Sequence, residues 1–135
     1  MVLELNEFLA HERGHRAQFE AELRRRNQPR CRSYALFAAG GFFLGTLSGL
    51  AGRQAVAATT VAIERVVLRH MHEQVQALDG VDQRAADTLR RIIVEEQEHH
   101  DCSAAQIGRK GPWPRLIDPL VTWSTEAVIW LGMRI

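Results

Sequence analysis

With 135 residues, a formal net charge of +1 and 46% hydrophobic residues, the chain has room for one packed domain and no electrostatic reason to bind nucleic acid. Its two cysteines, Cys31 and Cys102, form neither a C-x-x-C pair nor a disulfide framework, which points to a reducing compartment. Met1 leads directly into an amphipathic pattern containing Glu4 and Glu7, so no signal segment is expected.

Apolar residues recur with a helical period throughout and strand-like alternation is absent, which predicts an all-α chain with one domain over residues 1–135. The first helix is predicted over Val2–Asn27 and stops at Gln28 and Pro29. Its inward stripe reads Leu5, Phe8, Glu12, His15, Phe19, Leu23. Arg24, Arg25, Arg26, Arg30 and Arg32 gather at its end, a pattern of a solvated helix terminus or a membrane-facing rim. From Ser33 to Gly52 there is no charge, and Gly41, Gly45 and Gly49 recur at four-residue spacing. Such a segment suits a membrane-spanning helix with a small-residue face or a buried bundle helix. Gly40, Thr46, Ser48 and Gly52 dilute its hydrophobicity, so burial is the reading favoured.

A third helix is predicted over Gln54–Leu78, with Gly80 as C-cap and an inward face of Ala57, Val61, Glu64, Leu68, Met71, Val75 and Leu78. Asp82 is the expected N-cap of a fourth helix running to Gln106. Its stripe reads Leu89, Ile92, Ile93, Glu96, His99, Ser103. The Gly- and Pro-rich stretch 108–114 must break it. Asp118 and Pro119 then open a last helix, apolar at Trp123, Ile129, Trp130, Leu131, Met133 and Ile135 and interrupted by Glu126 and Arg134. Its tryptophans suit a membrane interface or a core.

Chemistry enters where polar residues replace core residues on these stripes. Glu-x-x-His occurs twice, at Glu12/His15 and Glu96/His99, and i, i+3 spacing puts both side chains on one helical face. Glu64 replaces a third core residue. An ionised carboxylate in a dry core costs several kcal/mol unless something compensates it, and a divalent cation does so best. Four-helix carboxylate proteins bind two metals through this motif on two helices plus one Glu from each of two others. Three acids, two imidazoles and no thiolate favour iron or manganese over zinc. On the fourth helix His100 lies about 100° round from His99 as a supporting donor or a solvated residue, and Glu98 and Asp101 belong to the surface or to that supporting layer.

Three segments then carry a resemblance: Ile93 to Asp101 with its acid-acid-x-acid-His-His-Asp run; Thr60 to Arg65 followed by His70, Glu73 and Gln74; and Glu12 to His15. Together with the Gly-rich segment they resemble the demethoxyubiquinone hydroxylase family of ubiquinone biosynthesis, over about residues 10–135. The resemblance implies a ferritin-like antiparallel helical bundle with an extra C-terminal amphipathic helix. It implies peripheral membrane association, at the cytoplasmic face of a bacterial inner membrane. Two iron ions, with manganese as a substitute, and O₂ would serve to hydroxylate the ring of a polyprenyl quinone.

The resemblance maps metal ligands onto Glu12, His15, Glu64, Glu96 and His99, and a histidine close to the metals onto His70, which stands about 120° round the helix from Glu64. Apolar residues of the Gly-rich segment and last helix would line a channel for the isoprenoid tail. Family members carry a sixth ligand, a Glu, on a helix ahead of the first Glu-x-x-His, whereas eleven residues precede Glu12 here. An N-terminally shortened member is therefore expected. Glu126, a carboxylate from another chain, or water would fill the sixth position, and a homo-oligomer or partner protein is compatible with that. The alternative reading is a non-catalytic metal- or quinone-binding bundle.

Overall fold

The computed structural model describes residues 2–31, 33–107, 113–132 and 134. Five helices follow in order: α1 (Val2–Arg25), α2 (Tyr34–Ala51), α3 (Arg53–Leu78), α4 (Gln83–Gln106) and α5 (Trp113–Gly132). Among the described residues there is no strand, so the all-α expectation holds. Packing divides the chain into two compact units, Met1–Arg30 with Leu68–Gln97, and Cys31–Val67 with Glu98–Ile135. Both α3 and α4 run unbroken through that division.

In the first unit, α1 ends two residues earlier than its sequence predicts. Asn27 adopts a left-handed conformation, φ 53°, and the Gln28 amide donates to Leu23 O while the Asn27 amide donates to Arg24 O. This paired closure satisfies the last carbonyls of the helix before Pro29 is reached. Gly80 (φ 72°) turns the chain after α3, as expected of a C-cap glycine. Asp82 caps α4, its Oδ1 accepting from the Ala85 amide at 3.1 Å. The arginine-rich end of α1 is fastened to this turn: Arg25 and Arg26 both donate to Asp82 Oδ2, and Arg84 reaches back to Glu22. Arg30 pairs with Glu20. The arginine cluster is thus matched by acids of the same unit; Arg32 lies outside the described residues.

The inward stripe of α4 matches expectation, with Leu89, Ile92, Glu96, His99 and Ser103 buried. On α3, Ala57, Glu64, Leu68 and Met71 are buried. On α1 the expected stripe is only half right. The more buried residues include Glu4, Phe8, His11, His15, Gln18, Glu22 and, from the expected stripe, Leu23, whereas Leu5 and Phe19 are each 38% exposed and Leu9 is 46% exposed. Leu5, Leu9 and Phe19 stand about 100° round the helix from the buried residues, on a face that the first unit leaves open.

Two further expectations need correction, both in the second unit. The charge-free α2 packs against α5 but is not buried: Ser48 is its one buried residue, and Phe42, Phe43, Leu47 and Leu50 are exposed. The stripe of Gly41, Gly45 and Gly49 meets nothing within 4 Å, so among the described residues no other backbone uses it. The last helix also starts earlier than Asp118, at Trp113, and takes Pro119 into its interior. Pro114 occupies the first turn, where a missing N–H costs nothing. Asp118 does not cap; it accepts from Arg65 at 2.6 Å, and the same guanidinium donates to Thr122. The predicted break over 108–112 lies outside the described residues, as do Met133 and Ile135.

The Asp82 carboxyl is held below its ordinary range, first by the Ala85 amide and then by Arg25. Its contribution to stability is therefore full above the carboxylate's unfolded value and is lost as pH falls through the folded one. Asp82→Ala should lower the urea midpoint at pH 7 with little change in slope, and Asp82→Asn, which keeps the capping oxygen, should lower it less. Equal losses in both variants would show that the arginine pairs outweigh the cap.

Candidate metal centre

Each Glu-x-x-His pair is placed by the phase of its own helix. On α4, Glu96 (4% exposed) and His99 (2%) continue the stripe of Leu89 and Ile92. On α1, His15 is 3% exposed, one turn after Glu12. Glu64 on α3 is buried at 8% exposure. Ligand atoms of Glu12, Glu64, Glu96 and His99 all lie within 4.8 Å of one another, close enough for one ion to touch all four. Glu12 is the one exposed residue of that group.

His15 lies outside that group of four and touches it through its neighbours on α4. Its Nε2 stands 2.9 Å from Glu95 Oε2, and its Nδ1 2.9 Å from Glu96 Oε1. With a cation between Nδ1 and Glu96, an Nε2–H donated to Glu95 would leave the lone pair on Nδ1, facing that cation. Glu95 is therefore a candidate supporting residue, through its contact with His15, that sequence reasoning missed. Periodicity pointed correctly at Glu96 as the inward acid of the run, but an acid one position earlier reaches a residue of another helix only through its side-chain length, which spacing within α4 does not reveal.

Burial shapes the electrostatics. The Glu12 carboxyl is raised above its ordinary range, first by desolvation and then by the nearby Glu96 carboxylate, against the opposing pull of His15, Arg16 and His11. The residue surface as a whole remains exposed; the shift reflects its inward carboxyl end. Carboxylates kept out of water at mutual contact distance are unfavourable as anions, and a divalent cation removes both the desolvation and the repulsion. Such an oxygen-rich set with imidazole fits iron or manganese.

The remaining candidates fall outside the converging group. His70 is half-buried two turns along α3, with Nδ1 3.5 Å from Glu73 Oε2. His100 pairs with Asp101, and Asp101 and Glu98 are exposed. Glu126 is half-buried, with Oε1 withdrawn from solvent.

Helices that converge a lone Glu and residues of a Glu-x-x-His motif place the chain among helical proteins with a carboxylate-rich group that could hold a metal ion. The chain belongs to the family described as Ubiquinone biosynthesis protein COQ7, which it matches over residues 2–132. It is 29% identical to the NADPH-dependent 3-demethoxyubiquinone 3-hydroxylase, mitochondrial, of Dictyostelium discoideum, over 97% of this chain and 62% of that one. It is 31% identical to the 3-demethoxyubiquinol 3-hydroxylase of Rhodospirillum rubrum, again over 97% and 62%. With the Rattus norvegicus NADPH-dependent enzyme identity is 30%, over 73% and 48%. The chain thus spans about half to 62% of the length of these relatives. No solved structure matches it. The family resemblance carried by Glu12 to His15, Thr60 to Arg65 and Ile93 to Asp101 is borne out.

Because the Glu12 charge is unfavourable in the metal-free fold, Glu12→Gln should melt at or above the wild-type temperature without metal at pH 7. With ferrous iron present the order should reverse, since only the wild type gains binding energy there. Thermal melts with and without iron under anaerobic conditions measure both. A variant less stable than wild type in both conditions would contradict the electrostatic account.

Proposed function

We propose that the chain is an O₂-dependent di-iron monooxygenase that hydroxylates the ring of a polyprenyl benzoquinone intermediate of ubiquinone biosynthesis. The observation that carries this reading is the convergence of Glu12, Glu64, Glu96 and His99 in a chain of the COQ7 family. Glu12, His15, Glu64, Glu96 and His99 would hold the two irons, with manganese as a substitute. Bound there, the metals supply O₂ activation and the oxygen delivered to the ring.

The protein's own residues do the rest. Glu95 holds the His15 ring in the tautomer that leaves Nδ1 to the metal. Ile92, fully buried beside Glu96 on α4, keeps bulk water away and so strengthens every charge interaction at the site. His70, its ring oriented by Glu73, is the proton-handling residue. The ring C–H becomes C–OH, the second oxygen atom leaves as water, and two electrons come from a reduced nicotinamide, the donor named for two of the relatives.

The test is turnover of a short-tailed demethoxyquinone by iron-loaded protein with reductant and O₂, read as a product heavier by one oxygen atom. Glu64→Ala should lose most bound iron and the product together, and Glu95→Gln should cost about 10–100-fold in metal affinity. Iron content unchanged in Glu64→Ala would sink the assignment. A second reading, a non-catalytic metal- or quinone-binding bundle, draws on one fact: the four-helix pattern needs two lone carboxylates, and the converging group holds one, Glu64. About two irons per chain favours the enzyme, and one or none favours the binding protein.

The same proposal places the chain peripherally on a membrane, at the cytoplasmic face of a bacterial inner membrane. Support comes from α2, which is long and apolar enough to cross a membrane and is 6% buried, and from the exposed Leu116, Leu120, Trp123 and Trp130 of α5. Each large apolar side chain gains roughly 1.5–3 kcal/mol on leaving water, so these helices favour an apolar phase. At 18 residues and about 27 Å, α2 meets the lower limit for a span, and the proposal has it lie against the hydrocarbon layer instead. Carbonate should release the protein from membranes. Retention in the pellet, with the two chain ends on opposite sides by protease mapping, would establish spanning instead.

A further inference from the structure

The face that α1 leaves open carries a pattern of its own. Leu5, Leu9, Glu12, Arg16, Phe19 and Leu23 follow one another at alternating spacings of four and three, the seam of a coiled coil. Five of the six are exposed and Leu23 is half-buried. The order is also a palindrome in chemical type. When two such seams run antiparallel about a two-fold axis, Leu5 meets Leu23, Leu9 meets Phe19 and Glu12 meets Arg16, each pair occurring twice.

A parallel pairing of the same seams would instead set Glu12 against Glu12 and Arg16 against Arg16. Like charges in that position cost stability and opposite charges set register, so the antiparallel arrangement is selected. Arg13 of the two copies would face each other on the outer flank, where solvent screens them.

A second feature lies at the places that this register assigns to the partner. An apolar cavity of about 240 Å³ in the first unit is lined by Phe19, Leu23, Leu78 and Leu89, with Gln74 and Thr88 among its polar residues. Phe19 and Leu23 are the residues that the register sets against Leu9 and Leu5 of a second copy. Two leucines would therefore enter a recess that α1, α3 and α4 have already formed.

We propose that a second copy of this chain docks antiparallel along α1, covering the open seam and bringing its Arg16 against the outer oxygen of Glu12. Isologous contacts of this kind close into a dimer and stop there. The arrangement also covers the one exposed side of the carboxylate group: Glu12, already drawn by Arg16 of its own chain, gains a second cation from across the seam that orients it, as ligating carboxylates commonly have. The proposal rests on the seam and the recess and needs no metal to be present.

The experiment is sedimentation equilibrium of the full chain in dodecyl maltoside, which shields α2 and α5, compared among single and paired variants. The wild type should sediment at twice the chain mass. Arg16→Glu, which would set four carboxylates together, and Leu9→Glu should sediment at the single-chain mass with helical circular dichroism unchanged. Glu12→Arg combined with Arg16→Glu restores opposite charges and should restore the dimer, whether or not it binds iron. A monomeric wild type would overturn the proposal and leave the seam to a helix of another protein or of a longer form of the chain. A dimer that survives both Arg16→Glu and Leu9→Glu would overturn it too, showing that another surface holds the copies together.

Discussion

Several carboxylates held together away from water repel one another and forfeit their hydration, and the rest of this structure is organised around that unfavourable act. Glu64 and Glu96 lie on helical stripes otherwise made of Ala57, Leu68, Met71, Leu89 and Ile92, so folding the stripes inward necessarily carries the charges inward as well. The raised Glu12 carboxyl records the cost. A divalent cation would convert the same geometry from a liability into a binding site, and metal loading would then be tied to stability. Around it the chain spends conventional means on rigidity: the left-handed stop at Asn27, the Asp82 cap and the arginine pairs that tie α1 to the turn after α3.

Much of this was legible in the sequence, because the signals are local. The α4 stripe from Leu89 to Ser103 and the α3 residues around Glu64 follow from a 3.6-residue period alone. Gly80 and Asp82 announce a helix end and a helix start by backbone chemistry. What escaped depends on which neighbours a helix meets. The period of α1 identified His15 as inward but could not say that Leu5 and Phe19 lie on a face without a covering helix in this unit. For α2, an uncharged segment reads alike whether its partner is protein or lipid. Glu95 escaped because its partner, His15, is 80 residues away in sequence. Asp118 followed by Pro119 is a sound helix-start signal, overridden here because Trp113 and Pro114 start the helix first and Arg65 claims the aspartate.

The division of labour between the helices suits the proposed chemistry. The acids and imidazoles belong to α1, α3 and α4, whereas the large exposed apolar residues, Phe42, Phe43, Leu47, Leu50, Leu120 and Trp123, belong to α2 and α5. A polyprenyl quinone has a matching division: a polar ring on which oxygen chemistry occurs and a long apolar tail that resides in lipid. In that proposal, helices that would hold metals need rigid, satisfied packing, and those that would meet lipid need only an apolar surface. Residues such as Arg65, which grips Asp118 and Thr122, couple the two sets by joining α3 to α5.

The central claim is that Glu12, His15, Glu64, Glu96 and His99 form a two-iron site. Anomalous X-ray scattering at the iron edge from crystals of the iron-loaded chain tests it most directly. The account predicts two peaks bounded by these five side chains, with Glu95 hydrogen-bonded to His15 and outside the coordination sphere. Iron located instead at His70 and Glu73 or at His100 and Asp101, or no ordered iron at Glu64, would contradict it.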